Sequence, residues 1–140
     1  REIGIQDHVK WVGWITHEDI FEYIRACRIG IIPHLTTDHV NTTIPNKIYD
    51  YMGLALPVIA SDAVPMKRIV EREACGIVFR SGDSGDLTKA ILEIYRSGYP
   101  YGDNGRSAVI AQYNWDVDFK RLMTMVNDLK GDVRYPMNTW

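Results

Sequence analysis

The residues best suited to chemistry lie in the stretch IPNKIYDYMGLALPVIAS, residues 44–61. Lys47 falls near the expected start of a helix, where the macrodipole disfavours a positive charge by roughly 0.3–1 kcal/mol. A bound anion reverses that sign, because the free first-turn amides, the dipole and the ammonium group then attract one ligand. Asp50, one turn later, is suited to accept hydrogen bonds from vicinal hydroxyls. An anion beside a diol describes a nucleoside diphosphate and its ribose.

A simpler interpretation needs no ligand. Lys47 and Asp50 are three residues apart, so on a solvated helix face they would form an ion pair worth ~0.2–0.5 kcal/mol. Their spacing supports the two interpretations equally.

The backbone before Lys47 fits an anion site. With Thr43 as the N-cap, Pro45 falls in the first turn, where its missing N–H does little harm. The amides of Ile44, Asn46 and Lys47 then have no partner within the helix. The sequence therefore predicts a helix that begins at Ile44 with free amides beside the lysine.

Short apolar runs alternate with amphipathic segments along the chain. Continuous apolar runs are typical of strands buried on both faces of a parallel sheet. The alternation predicts an α/β fold, a Rossmann-like parallel sheet with helices on both faces and ligands beyond the carboxyl ends of the strands. The predicted strands are His8–Ile15, Arg28–Pro33, Pro57–Ser61 and Cys75–Arg80; the predicted helices are His17–Cys27, the helix from Ile44, and residues 63–74, 86–97, 105–113 and 115–130, the last capped by Asn114.

The composition sets limits on the class of protein. The 140 residues, 46% of them hydrophobic and 24% charged, suit one globular domain. A net charge of -2 argues against a nucleic-acid-binding protein. No apolar run reaches the ~20 residues of a membrane span, and the N-terminus has no signal-peptide pattern. We expect a cytoplasmic protein in which Cys27 and Cys75 are reduced core thiols.

Other candidate sites are weaker. His34, Asp38 and His39 share a loop but lack the spacing of a metal site, and no zinc or nucleophile-elbow motif occurs. SGDSGD, residues 81–86, is interpreted as a helix-capping loop. MKRIVERE, residues 66–73, is mixed in sign and is expected to be a solvated face.

Three segments together resemble a known family. VKWVGWITHEDIFEYIRACRIGIIP, PNKIYDYMGLALPVIASD and CGIVFRSGDSGDLTKAI resemble the C-terminal, nucleotide-sugar-binding domain of family 4 glycosyltransferases with the GT-B fold. The resemblance covers nearly the whole chain and is most specific at residues 46–62. It implies a retaining, metal-independent enzyme that moves a sugar from a nucleotide diphosphate sugar to a glycan or lipid-linked acceptor. Such an enzyme is expected to build a cell-surface polysaccharide or glycoconjugate, in the cytoplasm or at the inner face of the membrane.

The resemblance assigns roles to residues and also shows departures. The family has two Glu residues separated by seven positions at this helix; here Asp50 replaces the second and Thr42 the first, so His34 or Asp38 are candidates to substitute for the lost carboxylate. Trp14 and Ile15 match the part that holds the base, although Trp14 suits a core position equally well. The loop Asp62–Met66 is a weaker candidate. The expected donor-binding residues are Thr42, Thr43, Ile44, Asn46, Lys47 and Asp50.

A further departure concerns the start of the domain. The family's first strand, glycine-containing loop and helix, and its acceptor-binding N-terminal domain, have no counterpart in residues 1–140. We therefore expect the C-terminal portion of a longer enzyme, inactive alone. Strands beginning near Val9 and Pro57 should flank the missing strand, and the open edges would favour self-association. The alternative function is a catalytically silent Rossmann-like domain kept for binding or assembly, because Thr42 lacks the carboxylate.

Overall fold

The computed structural model of the chain describes residues 4–132, with the side chains of residues 17 and 130–132 left undescribed. Between residues 17 and 96, helices and strands alternate as the sequence predicts for that part of the chain. In chain order the helices and strands are α1 (His17–Arg25), β1 (Gly30–Ile32), α2 (Lys47–Gly53), β2 (Val58–Ser61), α3 (Val64–Arg72), β3 (Gly76–Phe79), α4 (Ser84–Arg96), α5 (Tyr101–Ala111) and α6 (Trp115–Asp132), with short 3-10 turns at Gln6–His8 and Val40–Thr42.

The three strands form one parallel sheet in the order β1-β2-β3. Ile31 of β1 pairs with Ile59 of β2, which in turn pairs with Ile77 of β3. The parallel, Rossmann-like sheet is therefore confirmed. The expectation that the strand beginning near Pro57 lies beside a gap is wrong, because β2 is the middle strand and is hydrogen-bonded on both sides. In the part of the chain that the structure describes, the open edges belong to β1 and β3.

Residues 8–15 do not form the predicted strand. A 3-10 turn ends at His8, and residues 9–15 are not paired with any described strand. Trp11 is 91% exposed, and Gly13 adopts a positive φ of 76°. A strand is stable only when a neighbour takes its backbone hydrogen bonds, and none of the described strands does so for residues 9–15.

Side chains from alternate strand positions enter two cores on opposite faces of the sheet. Val58 and Ala60 of β2 pack with α2, α3 and α5, whereas Ile59 between them packs with α4. β3 alternates in the same way, with Val78 toward the first core and Phe79 toward the second. This period of two is why the strands read as continuous apolar runs, and it confirms helices on both faces.

Two glycines allow backbones to approach more closely than any side chain would permit. A Cβ at Gly76 in β3 would overlap the carbonyl oxygen of Val58, the residue that pairs with Gly76 in β2. A Cβ at Gly102 would overlap the carbonyl oxygen of Ala55, which ends α2 with a positive φ of 58°. Gly102 therefore lets α5 lie directly against the end of α2.

Both cysteines were expected to lie in the core. Cys75 is buried, and burial raises the pKa of its thiol to about 11. Cys27 is exposed, so its assignment to the core is wrong.

Asn114 accepts the Val117 amide at 3.1 Å, which confirms it as the cap of α6. No helix within residues 4–132 is both long and apolar enough to cross a membrane.

The glycine contacts generate a stability prediction. Gly76→Ala and Gly102→Ala should each lower the free energy of unfolding by roughly 1–3 kcal/mol or more, because a rigid backbone carbonyl must move to admit the methyl group. Urea denaturation measures the effect. Gly98→Ala is the matched control, since nothing lies within 4 Å of its added Cβ. Equal urea midpoints for all three variants would contradict the packing described.

Candidate functional site

The three strands end at one edge of the sheet, and the loops that follow them are joined there by hydrogen bonds. The Thr36 hydroxyl, in the loop after β1, donates to Asp62 Oδ1 at 2.9 Å, and Asp62 directly follows β2. The Ser81 amide, after β3, donates to the same oxygen at 3.2 Å. The Thr36 amide closes the ring by donating to Ser81 Oγ at 2.8 Å. Thr36, Asp62 and Ser81 are referred to below as the edge cluster.

The electrostatics of the edge cluster favour a charged Asp62. The hydrogen bond from the Thr36 hydroxyl lowers the pKa of the Asp62 carboxyl, and the Ser81 amide acts in the same direction against the partial burial of the group. A carboxylate that accepts two hydrogen bonds is stabilised in its ionised form. Asp62 is therefore an anion at neutral pH that links three separate segments of chain.

A second contact holds the loop after β1 farther along. Asn41, in the 3-10 turn Val40–Thr42, accepts the amide of Val64 at 3.0 Å. Val64 is the first residue of α3, and the N-cap Ala63 has no side-chain acceptor of its own. Asn41 therefore satisfies a helix N-terminus from 23 positions away in sequence.

Helix α2 begins later than the sequence predicts. Its first residue is Lys47 and its N-cap is Asn46, whereas Thr43 is extended, with φ -126° and ψ 154°. The expected N-cap at Thr43 is therefore wrong. The physical reason is Pro45, because a proline disfavours helical backbone in the residue before it, here Ile44. Lys47 thereby becomes the first helical residue.

Lys47 and Asp50 do not form the ion pair that the simpler interpretation requires. The lysine is exposed and the aspartate half-buried, and the ion pairs described within residues 4–132 join other residues. Among the described hydrogen bonds, the backbone amides of Ile44, Asn46 and Lys47 have no acceptor. The start of α2 therefore presents an ammonium group and free amides on one short segment, with a carboxylate one turn on.

The two threonines before α2 are partly committed to the loop itself. The Thr42 hydroxyl donates to the His39 carbonyl at 2.8 Å, and the Thr43 hydroxyl to the same oxygen at 3.5 Å. Ile44 is half-buried and packs against the core. Of the residues considered as substitutes for the family carboxylate, His34 is half-buried and Asp38 is exposed.

The residues expected to hold the base lie in the segment that failed to form a strand. Trp14 has a relative exposure of 104%, so the alternative that it fills the core is wrong. Ile15 is half-buried. Within the described residues, no hydrogen bond or ring contact connects Trp14 to the start of α2, and the base-binding assignment stays a prediction.

The loop after β3 serves α4, as the sequence indicates. Asp83 accepts the Asp86 amide at 2.9 Å and caps α4, while Asp86 accepts the Arg80 amide at 2.8 Å. The capping role of residues 81–86 is confirmed. Thr36, Asn41 and Ser81 were not expected at the site; the signal for the edge was Asp62, a carboxylate placed directly after a buried apolar run.

Comparisons with known proteins agree with this architecture. The model of the family described as "Glycosyl transferases group 1" matches residues 1–97. The chain is 25% identical over 129 residues to the amylovoran biosynthesis glycosyltransferase AmsK of Erwinia amylovora, covering 89% of this chain and 32% of AmsK. The structure resembles sucrose-phosphate synthase from Thermosynechococcus elongatus with a TM-score of 0.77 and 25% identity, covering 92% of this chain and 32% of that one. The chain thus spans about a third of the length of each of these relatives.

The edge cluster gives a pH-dependent prediction. The folded-state pKa of Asp62 is depressed, so its contribution to stability is present above the unfolded value of about 3.9 and is lost as pH falls through the folded pKa. Asp62→Asn should lower the free energy of unfolding at pH 7 by roughly 0.5–1.5 kcal/mol, and the difference from wild type should shrink below about pH 4. Urea denaturation at several pH values tests this, and a difference that stays constant down to pH 3 would contradict it.

Proposed function

We propose that this chain, which belongs to the group 1 glycosyl transferases, is the donor-binding domain of a retaining enzyme with the GT-B fold. The enzyme moves a sugar from a nucleoside diphosphate sugar to a glycan or lipid-linked acceptor. Lys47 and the amides at the start of α2 bind the diphosphate, and Asp50 binds the ribose.

One observation carries the proposal. Lys47 and Asp50 lie three residues apart at the start of α2, and neither has an ion-pair partner among the described residues. An ion pair between them would have explained both charges without a ligand. A lysine at the first helical position is unfavourable by itself, whereas an anion bound there is attracted by the ammonium group and by the free amides together.

The carboxyl edge of the sheet is the expected place for such a ligand. In open parallel sheets, ligands bind beyond the carboxyl ends of the strands. The loop that leads from β1 to Lys47 lies at that edge and is joined there to the loops after β2 and β3 through the edge cluster. The exposed indole of Trp14 supplies a flat surface for a nucleotide base, with Ile15 beside it.

The same groups would also accelerate the transfer of the sugar. As the bond to the sugar breaks, negative charge grows on the departing diphosphate. Lys47 and fixed amides stabilise that charge more strongly in the transition state than in the bound donor. Asp50 holds the ribose hydroxyls, so the diphosphate keeps its place during the reaction. In this proposal the transfer needs no metal ion.

The wider role is proposed from the relatives. The relative AmsK is named for the biosynthesis of amylovoran, which favours a role in polysaccharide or glycoconjugate synthesis. Because the chain spans only 32% of that relative's length, we propose that the acceptor is bound by sequence beyond these residues, and that the chain alone is inactive. The open edge of β1 is then a place for pairing with further chain or with a second copy. We propose that the enzyme works in the cytoplasm, either free or at the inner face of the membrane.

Thr42 supports a second candidate. The hydroxyl stands where the family has a carboxylate facing the donor sugar, and it already donates to the His39 carbonyl. A domain that binds nucleotide without transferring sugar, kept for binding or assembly, would result. Sugar transfer by the wild-type protein at its full natural length supports the first candidate, and its absence supports the second. Thr42→Glu should raise the transfer rate if the carboxylate is what the site lacks.

Titration of the protein at its full natural length tests the donor site. UDP, GDP and ADP are each added in calorimetry, first to wild type and then to Lys47→Met and Asp50→Asn. The best nucleotide should bind wild type, and each variant should lose about tenfold or more in affinity, since one charge-assisted hydrogen bond is worth roughly 1.5–3 kcal/mol.

Lys67→Met is the matched control for the lost lysine charge. Lys67 is also an exposed helical lysine, but it contacts Glu71 at 3.8 Å on α3. Its affinity for nucleotide should stay within about twofold of wild type. Nucleotide binding that survives in Lys47→Met, or that falls equally in Lys67→Met, would overturn the assignment of the diphosphate to the start of α2.

A further inference from the structure

The loop between β1 and α2 is held from outside at two points. At its beginning, Thr36 donates to Asp62 through its hydroxyl and to Ser81 through its amide. Farther on, Asn41 accepts the Val64 amide. Both anchors involve the short segment Asp62–Val64 that connects β2 to α3. The loop is thus fastened to a neighbouring strand and helix in addition to its own bonds to the start of α2.

Between and after these anchors the loop is compact. The Asn41 amide donates to the Thr37 carbonyl at 2.9 Å, and the Thr42 amide to the His39 carbonyl at 3.1 Å. Val40 packs against the core. These short-range bonds connect the anchor at Thr36 to the one at Asn41, so a change at Thr36 is transmitted to the residues that follow it.

We infer that Asp62 is a positioning residue for the donor site. Its carboxylate accepts hydrogen bonds from two protein groups and thereby holds the loop that presents the backbone before Lys47. This inference rests on the proposed function, because it names the residue that keeps the proposed diphosphate-binding segment in its binding conformation.

Holding the loop in its binding conformation raises the affinity of the site that the loop helps to form. A loop that samples open conformations binds its ligand with an affinity reduced by the fraction of time it spends in the competent form. Asp62 Oδ1 is the single acceptor for two donors from two different loops. Removing it leaves Thr36 with only its amide bond to Ser81, whose own amide has then lost its acceptor. The Thr36 hydroxyl and the Ser81 amide, which have lost their acceptor, are then free to bind water.

Hydrogen–deuterium exchange and nucleotide titration on the full-length protein test the inference together. In Asp62→Ala, the hydrogen-bonded amides within residues 34–46, those of Thr36 and residues 40–43, should exchange at least about fivefold faster than in wild type. The nucleotide that binds wild type best among UDP, GDP and ADP should bind about tenfold more weakly. Thr36→Val removes only the hydroxyl donor with little change in shape, and it should shift both measurements in the same direction.

Asp83→Ala is the matched control. Asp83 is also a carboxylate at this edge that accepts a backbone amide, but its partner is Asp86 in α4. This variant should leave both the exchange of residues 34–46 and the nucleotide affinity at wild-type values. Unchanged exchange of residues 34–46 in Asp62→Ala and Thr36→Val would overturn the positioning role. So would faster exchange in those variants with undiminished nucleotide affinity.

The two proposals fail in different ways. If wild type binds none of the three nucleotides, the proposed function is wrong, while the exchange of residues 34–46 still decides whether Asp62 holds the loop. If wild type binds and the Lys47 and Asp50 variants are impaired while Asp62→Ala and Thr36→Val are not, the donor site stands and the role of Asp62 is overturned.

Discussion

The parallel pairing of β2 with a neighbour on each side is the constraint on which the rest depends. Because all three strands run in one direction, their carboxyl ends meet at a single edge, and the loops after β1, β2 and β3 have to share that space. Gly76 makes the pairing with β3 close enough to form, since any side chain there would meet the Val58 carbonyl. The site is therefore a consequence of the topology before any polar side chain is considered.

Polar side chains then fix the loops at this edge. Asp62 follows the middle strand, so it is the residue placed to reach a loop on either side, and Thr36 and Ser81 meet it there. The charge on Asp62 is stabilised mainly by the hydrogen bond from Thr36, and none of the ion pairs described within residues 4–132 includes it. The start of α2 differs, because the side chains of Lys47 and Asp50 have no ion-pair partner within the described range. The carboxylate of Asp62 thus joins loops within the protein, whereas the side chains of Lys47 and Asp50 are not committed to another described residue through an ion pair.

Most features that depend on residues close together in the chain were predicted correctly from the sequence. The runs around Ile31, Ile59 and Ile77 are apolar on both faces, which is enough to identify strands buried between helices. Asn114 and Asp83 were recognisable as caps because their partners lie three residues away. The later start of α2 was also local, since it follows from Pro45, and the sequence interpretation had placed that proline inside the first turn instead of before it.

Features that depend on distant partners could not be read from the sequence. The segment around Trp14 has the composition of a strand, yet no described neighbour pairs with it. The edge cluster joins residues 19 to 45 positions apart, and no spacing rule connects them. Cys27 looked like a core residue because its neighbours are apolar, but it lies exposed on the C-terminal side of α1. In each case tertiary context decided what local pattern left open.

A crystal structure of the full-length protein with the nucleoside diphosphate that it binds best tests the donor site most directly. We expect the diphosphate oxygens within about 3 Å of Lys47 Nζ and of the free amides at the start of α2, with the ribose hydroxyls on the Asp50 carboxylate. A nucleotide bound elsewhere, with Lys47 and Asp50 free of it, would show that the start of α2 is not the donor site.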